Sequence, residues 1–195
     1  LVRSSSNAYN QALMSSIVAN HGEKFAKKWA SGIVKNFSRN PKGSDRDQVK
    51  AIASGQGDIA IVNSYYIGLL LSSTNEEELN AGKSVSVFFP NQGDNETGSH
   101  INISGIGLTK HSPNKENSLK LIEYLTSQEA QNLYVNTSFE YPVNPLVKPP
   151  KIVQSWVVQT SRKHSVSNGL GINVCKSLWC DVVNQNLLES QHLLF

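Results

Sequence analysis

Apolar positions along the chain follow two patterns, and their alternation predicts the architecture. From Tyr9 to Asn20 they recur at helical spacing, with Ala12, Leu13, Ile17 and Val18 on one side and His21-Gly22 as the stop. Glu23 to Lys35 reads as a second amphipathic helix, with Phe25, Ala26, Trp29 and Ile33 inward and Lys24, Lys27, Lys28 and Lys35 on a solvated face. Phe37 to Arg46 is polar, holds Pro41 and Gly43, and predicts a loop. Asp47 to Ser54 predicts a short helix ended by Gly55. Gly57 to Asn63 is different, because Ile59, Ala60, Ile61 and Val62 leave no polar face, the pattern of a strand buried on both sides. A helix starts at Tyr65 and fades by Leu71, ahead of an acidic loop at Asn75 to Glu78.

The second half continues the alternation. Val85 to Phe89 predicts a strand ending at Pro90, Asn91 to Ser99 a loop, and His100 to Leu108 another strand, with Gly105 and Gly107 inside it. His111-Ser112-Pro113 opens a helix whose body, Asn117 to Tyr134, repeats Leu121, Ile122, Leu125, Ala130 and Leu133. Four of the seven prolines fall within Phe139 to Pro150, which predicts an extended linker. Helical pieces of weaker periodicity follow from Lys151 to Phe195. Helices alternating with apolar strands, and few hairpin signals, give an α/β fold class.

Composition narrows the function classes. A chain of 195 residues with ordinary globular composition can bury a real core, and no apolar run is long enough to span a bilayer. The net charge of +3 is spread out, without the basic patch and interleaved aromatics of a nucleic-acid footprint. Cys175 and Cys180, five positions apart, would point apart on a helix, which argues against a mutual disulfide, and no Cys/His cluster suggests zinc. His21, His164 and His192 have no partners at metal spacing; His100 and His111 read as structural. The loop PKGSDRDQ lacks the order of a phosphate-binding Walker loop. A hydrolase or transferase using Ser4 to Ser6 with Asp45 or Asp47 finds no nucleophile elbow and no Ser/His/Asp spacing to support it.

The candidate chemistry lies at two junctions. In GDIAIVNSYYIGLLL, Asn63 or Ser64 is a good helix cap, so Tyr65 and Tyr66 occupy the first helical turn at the carboxyl end of a buried strand. Ligand crevices of α/β proteins open there. In RSSSNAYNQ, Tyr9 is placed similarly, just ahead of a helix. A phenol stays neutral at pH 7 unless a cation favours its anion, and a hard, highly charged metal ion prefers such oxygen donors. The bland alternative packs one tyrosine in the core and leaves one exposed. The nearby serines and asparagines suit helix caps or donors to an anion.

RSSSNAYNQALMSSIVANHG, WASGIVKNF, PKGSDRDQVKAIASGQGDIAIVNSYY, GSHINISGIGLTKHSPNKENSLKLIEYLTSQEAQ and FEYPVNP occur in that order. Together they resemble the ferric-iron-binding periplasmic proteins of ABC importers over roughly positions 1 to 156. The resemblance implies a type II periplasmic binding fold, two α/β lobes closing on one Fe(3+) ion, and no enzymatic activity. It matches Tyr65 and Tyr66 to the paired iron ligands and Tyr9 to a further tyrosine ligand. Asn63 matches an asparagine that contacts a synergistic anion, such as carbonate or phosphate, in some members. Ser6 joins it as an anion candidate. Asp45 stands where those members carry a second anion-contacting asparagine, and its carboxylate would repel an anion.

By the same resemblance, the chain is expected to lack the first part of lobe one, with the signal peptide and remaining ligands in that part. Residues 1–99 would form the core of the second lobe, 100–150 a return segment to the incomplete first lobe, and 151–195 a helical segment packing back on the second. The implied protein is a monomer in the periplasm that passes ferric iron to an inner-membrane permease. After Trp156 the match weakens to fragments such as Leu170 to Asn173. The alternative is a type II protein binding a small organic or inorganic anion without metal.

Overall fold

The computed structural model describes residues 1–156. Eight helices form among them: α1 (Ala8–His21), α2 (Glu23–Lys35), α3 (Asp45–Ala53), α4 (Tyr65–Leu71), α5 (Glu76–Lys83), α6 (Lys115–Thr126), α7 (Gln128–Ser138) and α8 (Lys151–Gln154). The first four follow the predicted periodicities within two residues at each end. Each start has a local cause. The Asn7 side chain accepts the Tyr9 amide at the head of α1. Ser44 and Asp47 form a reciprocal capping box at the head of α3, which satisfies two amides that helix geometry leaves without partners. Gly43 precedes that box at φ 77°, and a Cβ there would lie 2.7 Å from the Asp47 carboxylate, so the cap needs a glycine.

The acidic stretch at 76–78 is the first turn of α5 rather than a loop. Asn75 caps it by accepting the Glu78 amide, and three carboxylates favour the positive end of the helix. The periodic body from 117 to 134 is broken in two. Ser127, at φ −66° and ψ 158°, leaves the helix and accepts the Ala130 amide, so it caps α7. Residues 139–150 carry no helix or strand, as their prolines require.

The three expected strands are not present as ladders among the described residues, and 57–63, 85–89 and 100–108 lack regular structure. A strand exists through its partner, and apolar sequence alone supplies none. One fragment of pairing remains. The Leu1 ammonium donates to the Ile59 carbonyl (2.6 Å), and the Ile61 amide donates to the Leu1 carbonyl (3.0 Å), the hydrogen-bond pattern of a parallel pair. Ile59, Phe88, Ile101, Ile103 and Ile106 are exposed on these stretches.

Apolar burial divides into two clusters. Met14, Ala26, Ala30 and Val34 join α1 to α2, with Ile17, Val18, Trp29, Ile33 and Phe37 packed around them. Phe25, expected inward, is 47 % exposed and lies against His21 with ring centroids 4.7 Å apart. Val49, Ile67, Leu70 and Ala81 join α3, α4 and α5, with Val62, Leu71, Val85, Val87 and Trp156 around them. Among the described residues α1 and α2 pack on one another and on no other helix. Leu121 and Leu133 remain exposed, and α6 buries no residue. No described helix is long and apolar enough to cross a membrane. Cys175, Cys180, His164, His192 and 170–173 lie outside the described residues.

Candidate metal centre

The three tyrosines singled out from the sequence come together. Tyr9 occupies the first turn of α1, while Tyr65 and Tyr66 open α4. The Tyr9 and Tyr65 hydroxyls lie 3.2 Å apart, although 56 positions separate them in the chain. The Tyr65 and Tyr66 rings stack at a centroid distance of 4.1 Å and an interplanar angle of 29°. All three side chains are half-buried. Three phenol oxygens from two helix starts thus offer a hard, oxygen-rich donor set.

Burial pushes the Tyr65 phenol far above its ordinary pKa, and hydrogen bonds to Tyr66 and Tyr9 push it further in the same direction. Without a cation Tyr65 therefore holds its proton. A ferric ion at the oxygens would reverse that balance, because a multiply charged cation dominates every other local term. Neither Asn63 nor Ser64 caps α4 with its side chain; Ser64 sits at the cap position in helical conformation. Backbone bonds hold the turn instead, from the Tyr66 amide to the Asn63 carbonyl and from the Ile67 amide to the Ser64 carbonyl.

The three anion candidates bond to different partners. The Ser6 hydroxyl pairs with that of Ser4 at 2.9 Å. The Asn63 side-chain oxygen accepts from Asn102 at 2.6 Å, and Asn102 in turn pairs with His100. Desolvation lowers the His100 pKa, against the opposing effect of its bond to Asn102. Asp45 is 2 % exposed, and both its oxygens are engaged: Oδ2 pairs with Arg3, and Oδ1 accepts the Asn63 amide at 3.1 Å. It serves as the partner of Arg3.

Arg3 lies in the RSSSNAYNQ stretch, just ahead of α1. Burial opposes its charge, but the hydrogen bond and charge of Asp45, with Tyr66 beside it, raise its pKa above the usual value. Its Nε is buried without a hydrogen-bond partner. An Arg and an Asp separated by 42 positions carry no local signal of pairing. Among the described residues no group of three His, Cys, Asp or Glu side chains could hold a metal ion.

Residues 6–159 match the family model of bacterial extracellular solute-binding proteins, and the chain belongs to that family. Its relatives include iron uptake protein A2 of Synechocystis, 46 % identical over 145 residues, covering 74 % of this chain and 42 % of the relative. The ferric binding protein of Campylobacter jejuni superposes with a TM-score of 0.88 at 36 % identity, covering 93 % of this chain and 57 % of that one. The Trichodesmium protein IdiA (FutA), solved in complex with iron and citrate, gives a TM-score of 0.78 at 40 % identity, over 94 % of this chain and 56 % of that one. The chain thus spans about half the length of the relatives it matches. At the level of the family, these are proteins of ligand capture rather than catalysis.

Proposed function

We propose that the chain forms part of a periplasmic protein that captures ferric iron through tyrosine phenolates and hands it to a membrane permease. The observation that carries this reading is the convergence of Tyr9, Tyr65 and Tyr66, with hydroxyls of two helices 3.2 Å apart. The likeness to proteins named for ferric iron supports it independently of that geometry. Tyr9, Tyr65 and Tyr66 each give up a proton and supply an anionic oxygen to the metal, the hard donor that a hard cation favours. Ligands from the first lobe would complete the coordination when the two lobes close.

The test is addition of ferric iron to the full chain while its visible spectrum is recorded. A phenolate-to-iron charge-transfer band is expected, lost or strongly weakened in Tyr65→Phe and Tyr66→Phe. A spectrum unchanged by iron would refute the proposal.

A further inference from the structure

We propose that Arg3 and Asp45 form a strut that sets the spacing between the tyrosine of α1 and those of α4, which makes both of them positioning residues for the metal centre. The inference rests on the ferric reading above for its functional consequence, but the geometry behind it is separate. Tyr9 begins α1, which packs on α2 in one cluster, while Tyr65 and Tyr66 begin a helix that packs in the other. Among the described residues the α1–α2 pair does not pack against α3, α4 or α5 and meets α4 through the Tyr9–Tyr65 hydroxyl contact, so helix-on-helix packing does not set how far apart the phenols sit.

A chain of polar contacts does. On the α1 side, Asn10 is 8 % exposed and donates to the Arg3 and Ser4 carbonyls at 2.8 and 3.0 Å, which locks Arg3 to the turn of helix that carries Tyr9. On the α4 side, Asp45 Oδ1 accepts the amide of Asn63, two residues before Tyr65. The Arg3–Asp45 ion pair closes the gap between those two anchors. A planar guanidinium against a carboxylate defines direction as well as distance, which a lysine cannot reproduce.

The experiment compares the full chain with Arg3→Lys, Asp45→Asn and the apolar double variant Arg3→Met/Asp45→Leu, each checked for retained helix content by circular dichroism. The double variant guards against simple unfolding, because apolar replacement of both members of a buried ion pair is often tolerated. Two quantities are read. Brief photo-oxidation of the iron-free chain, with mass-spectrometric mapping, gives the yield of the Tyr9–Tyr65 dityrosine cross-link. Ferric titration gives the affinity and the position of the charge-transfer band.

The expected result is a severalfold drop in cross-link yield in folded variants. A roughly ten- to hundredfold loss of iron affinity, the usual effect of removing a residue that orients a metal ligand, should accompany it, with a displaced band. A purely structural pair would lower thermal stability while leaving yield and band position unchanged, and that outcome overturns the strut. If the unaltered chain shows no band while the yields still fall, the ferric reading fails and the strut stands.

Discussion

Gly68 offers a sharp test of how the helix bearing the tyrosine pair is seated. It lies in α4, two residues after Tyr66, and faces Phe139, which ends α7 in the left-handed region at φ 58°. A Cβ at position 68 would lie 2.4 Å from Phe139 Cγ and 2.6 Å from its Cβ. Those atoms belong to the rigid base of an aromatic ring that is only 9 % exposed, so Phe139 cannot swing clear into solvent. In Gly68→Ala two effects compete. Alanine gains about 1 kcal/mol of helix propensity over glycine. Overpacking a buried contact costs about 1–3 kcal/mol, and a clash at this distance belongs at the upper end. The net expectation is a loss of about 1–2 kcal/mol, read as a lower urea midpoint at unchanged slope. Gly32 in α2 is the control, because a Cβ there meets nothing within 4 Å. Gly32→Ala should gain about 0.4–1 kcal/mol. Equal or greater stability in Gly68→Ala would refute the close approach of α4 to Phe139.

Other expectations concern charge. Asp47 has its carboxyl pKa lowered, first by the Ser44 backbone amide and then by the Ser44 hydroxyl. A carboxylate depressed in the folded state stabilises above its unfolded pKa and loses that contribution as pH falls through the folded value. Asp47→Ala should cost about 1 kcal/mol at neutral pH, with the deficit shrinking in acid urea melts. Because Tyr65 holds its proton in the metal-free site, ferric loading should release protons into a weakly buffered solution, and apparent affinity should rise with pH. Lys50 approaches Glu77 and Glu78 at 3.6 and 3.4 Å near the surface, so Lys50→Ala should cost under about 1 kcal/mol, a difference that high salt abolishes.

Local signals made much of this structure legible. The periods of α1 and α2, the Ser-x-x-Asp box of α3 and the tyrosine placement at α4 are all encoded within a few residues, and the structure follows them. A local signal for α5 exists too, since Asn75 followed three positions later by Glu78 is a helix-start pattern, whereas the acidic run taken by its charge alone predicts a loop. Ser127 likewise cuts a periodic stretch that hydrophobicity alone reads as continuous. What sequence could not supply was partnership at long range. Apolar runs at 59–62 and 101–108 predict strands, yet a ladder depends on a neighbour, and only Leu1 provides one among the described residues. The roles of Arg3 and Asp45 were hidden for the same reason, because each is defined by the other.

Each apolar cluster also contains its own indole: Trp29 packs with the α1–α2 pair and Trp156 with α3, α4 and α5. Replacing Trp179 and then one of these two with phenylalanine would give single-tryptophan chains whose emission reports one cluster at a time. Because α1 and α2 pack on no other described helix, the melting curves of the two groups need not coincide, and the separation between them measures the cooperativity carried from one cluster to the other.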